Sequence, residues 1–178
     1  MSKTSDFETL VLAHLDAAYN LARWLVRDDT TAEDLVQDAA LRAFRYFGSL
    51  RGDQARPWLL GIVRNACFTW LEEQRQQPGR VEWDEEVVQA AGVAAAEDAP
   101  ETGPEAALDG KRTRARVDAA IRSLSPPFRE VVVLRELEGL SYGEIAQIAG
   151  IPIGTVMSRL ARARDVLRTA LADAKRED

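Results

Sequence analysis

The chain is poor in the residues on which many enzymes and extracellular proteins rely. Its 178 residues include one cysteine, Cys67, and one histidine, His14. A lone cysteine cannot build an intrachain disulfide framework or a cysteine-based zinc site, and it suits a reducing cytoplasm. A lone histidine leaves no partner for a triad or a metal pair, and within an apolar helical pattern it reads as a packed side chain. There is no glycine-rich phosphate loop and no helix-borne metal pair, so the sequence offers no catalytic residue, no metal ligand and no cofactor site. No apolar run reaches the roughly 18 residues of a membrane span. The N-terminus lacks the basic-then-apolar order of a secretion signal, so no membrane insertion is expected.

Cations are missing from one stretch altogether. Residues 81–110 hold no lysine or arginine against nine aspartates and glutamates. Residues 1–80 hold 10 basic and 11 acidic residues, and residues 111–178 hold 13 and 9. The net charge of −6 argues at first against a nucleic-acid partner. Its distribution reverses that, because the acidic excess sits in the middle and the last third is basic.

The basic third contains the most informative stretch. Ser141 and Glu144 form an S-x-x-E capping box, followed by the apolar face Ile145, Ala146 and Ala149. Gly150 can take the left-handed conformation that ends a helix. A second helix starts near Ile153, with Val156, Leu160, Ala163 and Leu167 on one face. Thr155, Ser158, Arg159 and Arg162 lie on another. Hydroxyls and guanidinium groups near the start of such a helix suit base edges and phosphates in a major groove. A solvated helix pair is the plainer alternative, but cap, turn and basic stripe together favour DNA binding.

In chain order, residues 6–27 predict a helix with Leu10, Val11, Ala18, Leu21, Ala22 and Leu25 inward. Thr31 can cap the next helix, which buries Ala32, Leu35, Val36, Ala39, Ala40, Ala43, Phe44 and Phe47. Its opposite stripe is Asp34, Gln37, Asp38, Leu41 and Arg45. A leucine among acids and an amide on the wet side suggests a docking surface. A loop over residues 48–55 leads to a third helix, with Pro57 in its first turn and an end near Gln76. Tyr46, Phe47, Arg51, Arg56, Trp58, Arg64 and Asn65 gather around that loop, and aromatics beside arginines and an amide can hold an unstacked base. Core packing is the alternative role for Trp58 and Trp70.

Residues 78–110 read as a flexible acidic linker, with at most a turn or two of helix near Trp83–Ala91. As a coil it averages about 30 Å end to end, and fully drawn out it reaches about 100 Å. A helix over 111–124 follows, then one capped by Ser125 with Pro126 at its first position, buried through Phe128, Val131, Val132, Leu134 and Leu137 and ended by Gly139. The fold class is therefore all-α: two small helical bundles, residues 1–77 and 111–178, joined by the linker.

With these pieces placed, the chain resembles the bacterial extracytoplasmic-function (ECF, group 4) sigma factors of the sigma-70 superfamily. Ala32-Glu33-Asp34-Leu35-Val36-Gln37-Asp38 resembles region 2.2, which docks on the β′ clamp helices of RNA polymerase. Leu50-Arg51-Gly52 and the run Pro57 to Asn65 resemble regions 2.3 and 2.4, which melt and read the −10 element. Leu124 to Val131 and Ser141 to Arg164 resemble region 4, which reads the −35 element and contacts the β flap. The resemblance implies −35 contacts at Thr155, Ser158, Arg159, Arg162 and Arg164. It implies −10 contacts at Leu50, Arg51, Gly52, Arg56, Trp58, Arg64 and Asn65, and polymerase docking at Asp34, Gln37, Asp38 and Leu41. It also implies core polymerase, promoter DNA and an anti-sigma factor as partners, and no enzyme activity. The family usually carries a basic residue before the Ser-Arg pair of the recognition helix; Met157 stands there, which removes a phosphate contact. His14 replaces a usual aromatic. The alternative is a helix-turn-helix regulator that works without polymerase.

Overall fold

The computed structural model describes residues 3–78 and 105–174. The acidic linker therefore lies outside the described residues over 79–104, as does the helical turn expected near Trp83–Ala91. All regular structure among the described residues is helical.

The helix expected over 6–27 is two. α1 (Lys3–Leu10) and α2 (Leu15–Val26) are separated by a 3-10 turn at Leu12–His14. The break lets Phe7 and Val11 point inward while Leu10 is left 45% exposed, contrary to the inward placement read from the sequence. Phe7 meets Phe44 and Phe47 edge-on, with ring centroids 5.1 and 5.4 Å away. Arg27, at φ 62°, ends α2 in the left-handed region. α3 (Asp29–Tyr46) follows. Its cap is Asp28 rather than Thr31: the Asp28 carboxylate accepts the Thr31 N–H at 2.8 Å. Hydrogen bonding to the Thr31 side chain and backbone holds that carboxyl below its usual range. α4 (Ala55–Arg75) begins two residues before Pro57, so the ring sits in the first turn, where no intrahelical N–H bond is lost. α2, α3 and α4 pack on one another as a three-helix body.

α5 runs Glu105–Ser123, starting six residues earlier than the expected 111. α6 (Pro126–Val132) passes into a π-helical turn at Val133–Leu137. Ser125 stands at the cap position of α6, yet its buried hydroxyl has no hydrogen-bond partner. Leu137 is 46% exposed instead of buried. α7 (Tyr142–Ala149) and α8 (Ile153–Ala174) complete the second body, with α8 packed across α5, α6 and α7.

The two bodies share one core. α7 lies on α4 and α6 lies on α2, and a single cluster runs from Leu21, Leu25, Leu59 and Val63 to Phe128, Val131, Leu134 and Ile145. Arg129, 3% exposed, is seated in that seam. Its guanidinium donates to the carbonyls of Trp24 (3.0 Å) and Leu25 (3.1 Å) at the end of α2. It also donates to Arg122 (3.1 Å) and Leu124 (2.6 Å) at the end of α5. One cation thus completes the C-termini of two helices, where the peptide dipoles favour positive charge. Burial, with the charges of Arg27 and Arg122 nearby, lowers its pKa to about 9. It therefore stays charged at neutral pH.

Arg129→Met should leave four carbonyls without their donor, those of Leu25 and Leu124 buried, and cost about 3 kcal/mol. Urea unfolding followed by circular dichroism measures it, with Arg112→Met, an exposed site, as the reference. A loss below 1 kcal/mol would refute the capping role.

Candidate nucleic-acid and polymerase interfaces

The helix-turn-helix forms as its residues dictate. The Ser141 hydroxyl accepts the Glu144 N–H at 3.2 Å and the Glu144 carboxylate accepts the Ser141 N–H at 2.8 Å, which closes the capping box. Gly150 takes φ 67°, and the Ile151 N–H returns to the Ala146 carbonyl at 3.1 Å. That wrap-around ends α7 and aims the chain into α8. Val156, Leu160 and Ala163 are buried beneath α8. Met157, Ser158 and Arg162 are exposed above it, and Thr155 is half-buried. Arg164 is exposed but paired, with its guanidinium 2.6 Å from the Glu136 carboxylate.

Arg159 is placed differently from a free phosphate contact. Its side chain is only 20% exposed, and its guanidinium is 3.9 Å from the Glu130 carboxylate. Glu130 is fully buried and accepts a two-pronged ion pair from Arg64, at 2.8 and 3.1 Å. Burial pushes the Glu130 carboxyl pKa up, and Arg64 and Arg159 oppose that shift. The Arg64 guanidinium also lies 3.9 Å over the Phe68 ring. A second acid repeats the pattern at the edge of the seam. Glu138 accepts Arg56 on its carboxylate and its backbone carbonyl, both at 2.9 Å, and accepts the Asn20 amide at 2.6 Å. Of the −10 and −35 cations expected from the sequence, Arg56, Arg64 and Arg159 are therefore brought together, from both bodies, around two carboxylates.

The remaining −10 residues surround this seam. Leu50 and Trp58 are half-buried and pack against the core, so Trp58 has the core contact that was its alternative reading. Arg51, Gly52 and Asn65 are exposed, and Gly52 turns the loop at φ 59°. Asn65 opens onto a shallow groove with Arg64, Phe68, Thr69, Glu72 and Glu73, whose far end is acidic. Burial raises the Cys67 thiol to about 12, which keeps it protonated and inert at neutral pH. The His14 imidazole titrates below its usual value through burial and the nearby Arg56 charge.

The docking stripe of α3 stands apart from these pairs. Asp34, Gln37 and Asp38 are exposed and Leu41 is 56% exposed. Phe44, expected on the buried face of α3, is 37% exposed with its ring edge-on to Phe7, and Tyr46 is 65% exposed. No group able to hold a metal ion and no helix long and apolar enough to cross a membrane occurs among the described residues.

Glu130, Glu138, Arg129 and Asn20 were not singled out in the sequence. A signal for two of them was present. Arg129-Glu130 interrupts the apolar run from Pro126 to Leu134, and charges inside such a run call for buried partners.

A three-helix body followed along the chain by a helix-turn-helix body defines an all-α protein of two helical modules. The families described as Sigma-70 region 2 and Sigma-70, region 4 match residues 10–77 and 114–167. The chain is 35% identical over 173 residues to the RNA polymerase sigma-H factor of Pseudomonas aeruginosa, covering 96% of this chain and 89% of that one. It is 37% identical over 136 residues to the ECF RNA polymerase sigma-E factor of Escherichia coli, covering 75% and 70%. It is 36% identical over 166 residues to the ECF sigma factor SigE of Mycolicibacterium smegmatis, and spans 62% of that relative's length. In structure it resembles the sigma factor RpoE of Bartonella quintana, solved with the anti-sigma factor NepR, at a TM-score of 0.70 and 27% identity over 94% of this chain and 97% of that one. The chain belongs to the ECF RNA polymerase sigma factors, transcription-initiation proteins that direct polymerase to promoters. That membership does not favour the polymerase-independent regulator.

Removing the Ser141 hydroxyl (Ser141→Ala) should destabilise the protein by about 1 kcal/mol through loss of the α7 cap. A thermal melt monitored at a helix wavelength checks this. An unchanged midpoint would show that the box contributes nothing.

Proposed function

We propose that the chain is a group 4 sigma factor whose α8 reads −35 duplex and whose loop before α4, with Asn65, traps an opened −10 strand. The observation that carries this reading is the helix-turn-helix itself. α7 is capped and turned so that the start of α8 is left outward, with Ser158 and Arg162 exposed and Thr155 half-exposed. In this reading Thr155, Ser158 and Arg159 probe base edges, and Arg162 and Arg164 meet phosphates. Leu50, Arg51, Gly52, Arg56, Trp58, Arg64 and Asn65 hold the −10 strand. Asp34, Gln37, Asp38 and Leu41 dock on the β′ clamp helices, and the C-terminal body meets the β flap.

Opening DNA loses stacking of about 1.4 kcal/mol per step, and extruding a base adds a few kcal/mol. Residues 1–80, with 10 basic and 11 acidic side chains, carry too little positive charge to force a duplex open. They act by capturing a strand that polymerase has positioned. The protein performs no chemistry itself, and it works in the cytoplasm. An anti-sigma factor is a further partner, in keeping with RpoE solved with NepR and CnrH solved with the cytosolic domain of CnrY.

Run-off transcription on a promoter library, with core polymerase in the presence and absence of this protein, tests the reading. Transcripts sharing two upstream elements should appear only with the protein. Failure to associate with core polymerase, together with strong binding to intact duplex alone, would overturn it. Asn65→Ala should lower open-complex formation roughly tenfold, since a side-chain amide paired with a base edge is worth about 1–3 kcal/mol, while core binding is unchanged. Permanganate footprinting and a polymerase pull-down separate the two. Leu41→Glu should do the reverse and weaken core binding at least about tenfold, as charging a buried interface anchor does.

A further inference from the structure

We propose that α8 reads the two strands of the −35 duplex by different chemistry, with an apolar flank built on Ile153 and Met157 selecting the methyl groups of thymines on one strand. This deepens, and rests on, the reading of α8 as the recognition helix. The buried face of α8 is made by Val156, Leu160 and Ala163. Away from it, Ile153 and Met157 are 50% and 53% exposed. Ala161 is exposed in line with them, each residue four positions from the last. A single exposed methionine calls for no explanation. Two large apolar side chains and an alanine in one row, on a helix that already has a separate buried face, do call for one.

The row occupies one side of the outward face only. At about 100° per residue, Met157 stands roughly 140° around the helix from Arg162 and roughly 160° from Thr155, with Ser158 between them. A helix lying in a major groove turns one flank toward each strand. Thr155 and Arg162 then meet one strand, while Ile153, Met157 and Ala161 meet the other. The groove offers donors and acceptors on every base pair, and its apolar feature is the 5-methyl group of thymine. An apolar side chain against that methyl removes two apolar surfaces from water. Against a cytosine amino group it would take water from a donor and give no partner back. From Ile153 to Ala161 the row spans about 12 Å of helix, between about three and four base pairs.

The test uses holoenzyme, core polymerase with the full chain, on a promoter that it selects from a library. Each −35 thymine is replaced in turn by deoxyuridine, on each strand separately, which removes the methyl and nothing else. Wild type should lose about fourfold in promoter binding, the worth of one buried methyl group, and only at thymines of one strand within about four consecutive base pairs. Met157→Ala should bind the unmodified promoter more weakly by about the same factor. It should be indifferent to at least one of those replacements, so that the two changes do not add. Met157→Leu, which keeps an apolar side chain of similar volume, should keep the sensitivity. Sensitivity spread equally over both strands, no methyl effect with wild type, or equal sensitivity of wild type and Met157→Ala overturns the strand-split readout. Loss of core-polymerase binding by Met157→Ala in a pull-down would make the row a protein-docking surface, and overturns it too. A selection that yields no −35 preference at all overturns the recognition-helix reading instead.

Discussion

A carboxylate with no exposure to water, held between two arginines from different ends of the chain, is the constraint on which this arrangement turns. Burying Glu130 alone costs several kcal/mol in lost hydration. The cost is met only while Arg64 keeps both its hydrogen bonds and Arg159 stays near. Removing either body would strand the acid or release it to solvent. The pair therefore contributes less to net stability than to choosing one relative placement of the two bodies. Arg129, one residue earlier, fixes the same placement from the opposite direction, because its acceptors come from α2 and α5 together.

This gives the seam two kinds of interaction. Apolar contacts between α7 and α4 and between α6 and α2 supply non-directional attraction, which tolerates sliding. The ion pairs supply direction, because a two-pronged fork has one good geometry. Salt and competing phosphates act on the second kind far more than on the first.

Much of this was legible in the residues. The capping box of α7, the glycine turn and the buried face of α8 appear where the pattern places them, and the period of α3 holds except at Phe44, which is 37% exposed, because each depends on neighbours within a few positions. Element edges were less legible. The 6–27 stretch breaks at Leu12–His14, and α3 is capped by Asp28 instead of Thr31. Helical periodicity continues through a short 3-10 turn, and Asp and Thr three residues apart are both capping residues, so the pattern leaves the first turn open to a shift. The site residues were identified by type but not by partner. Arginines near a loop look the same in sequence whether they face solvent, DNA or another part of the chain.

The sequence by itself determined most of the helices, the acidic stretch over residues 81–110 and the basic face of α8, because local sterics, capping and amphipathic period depend on neighbouring residues. Tertiary structure alone decided that Arg64 and Arg56 would meet Glu130 and Glu138. Pairing across 66 and 82 positions depends on how two bodies dock, and no periodicity in either one encodes the other's surface.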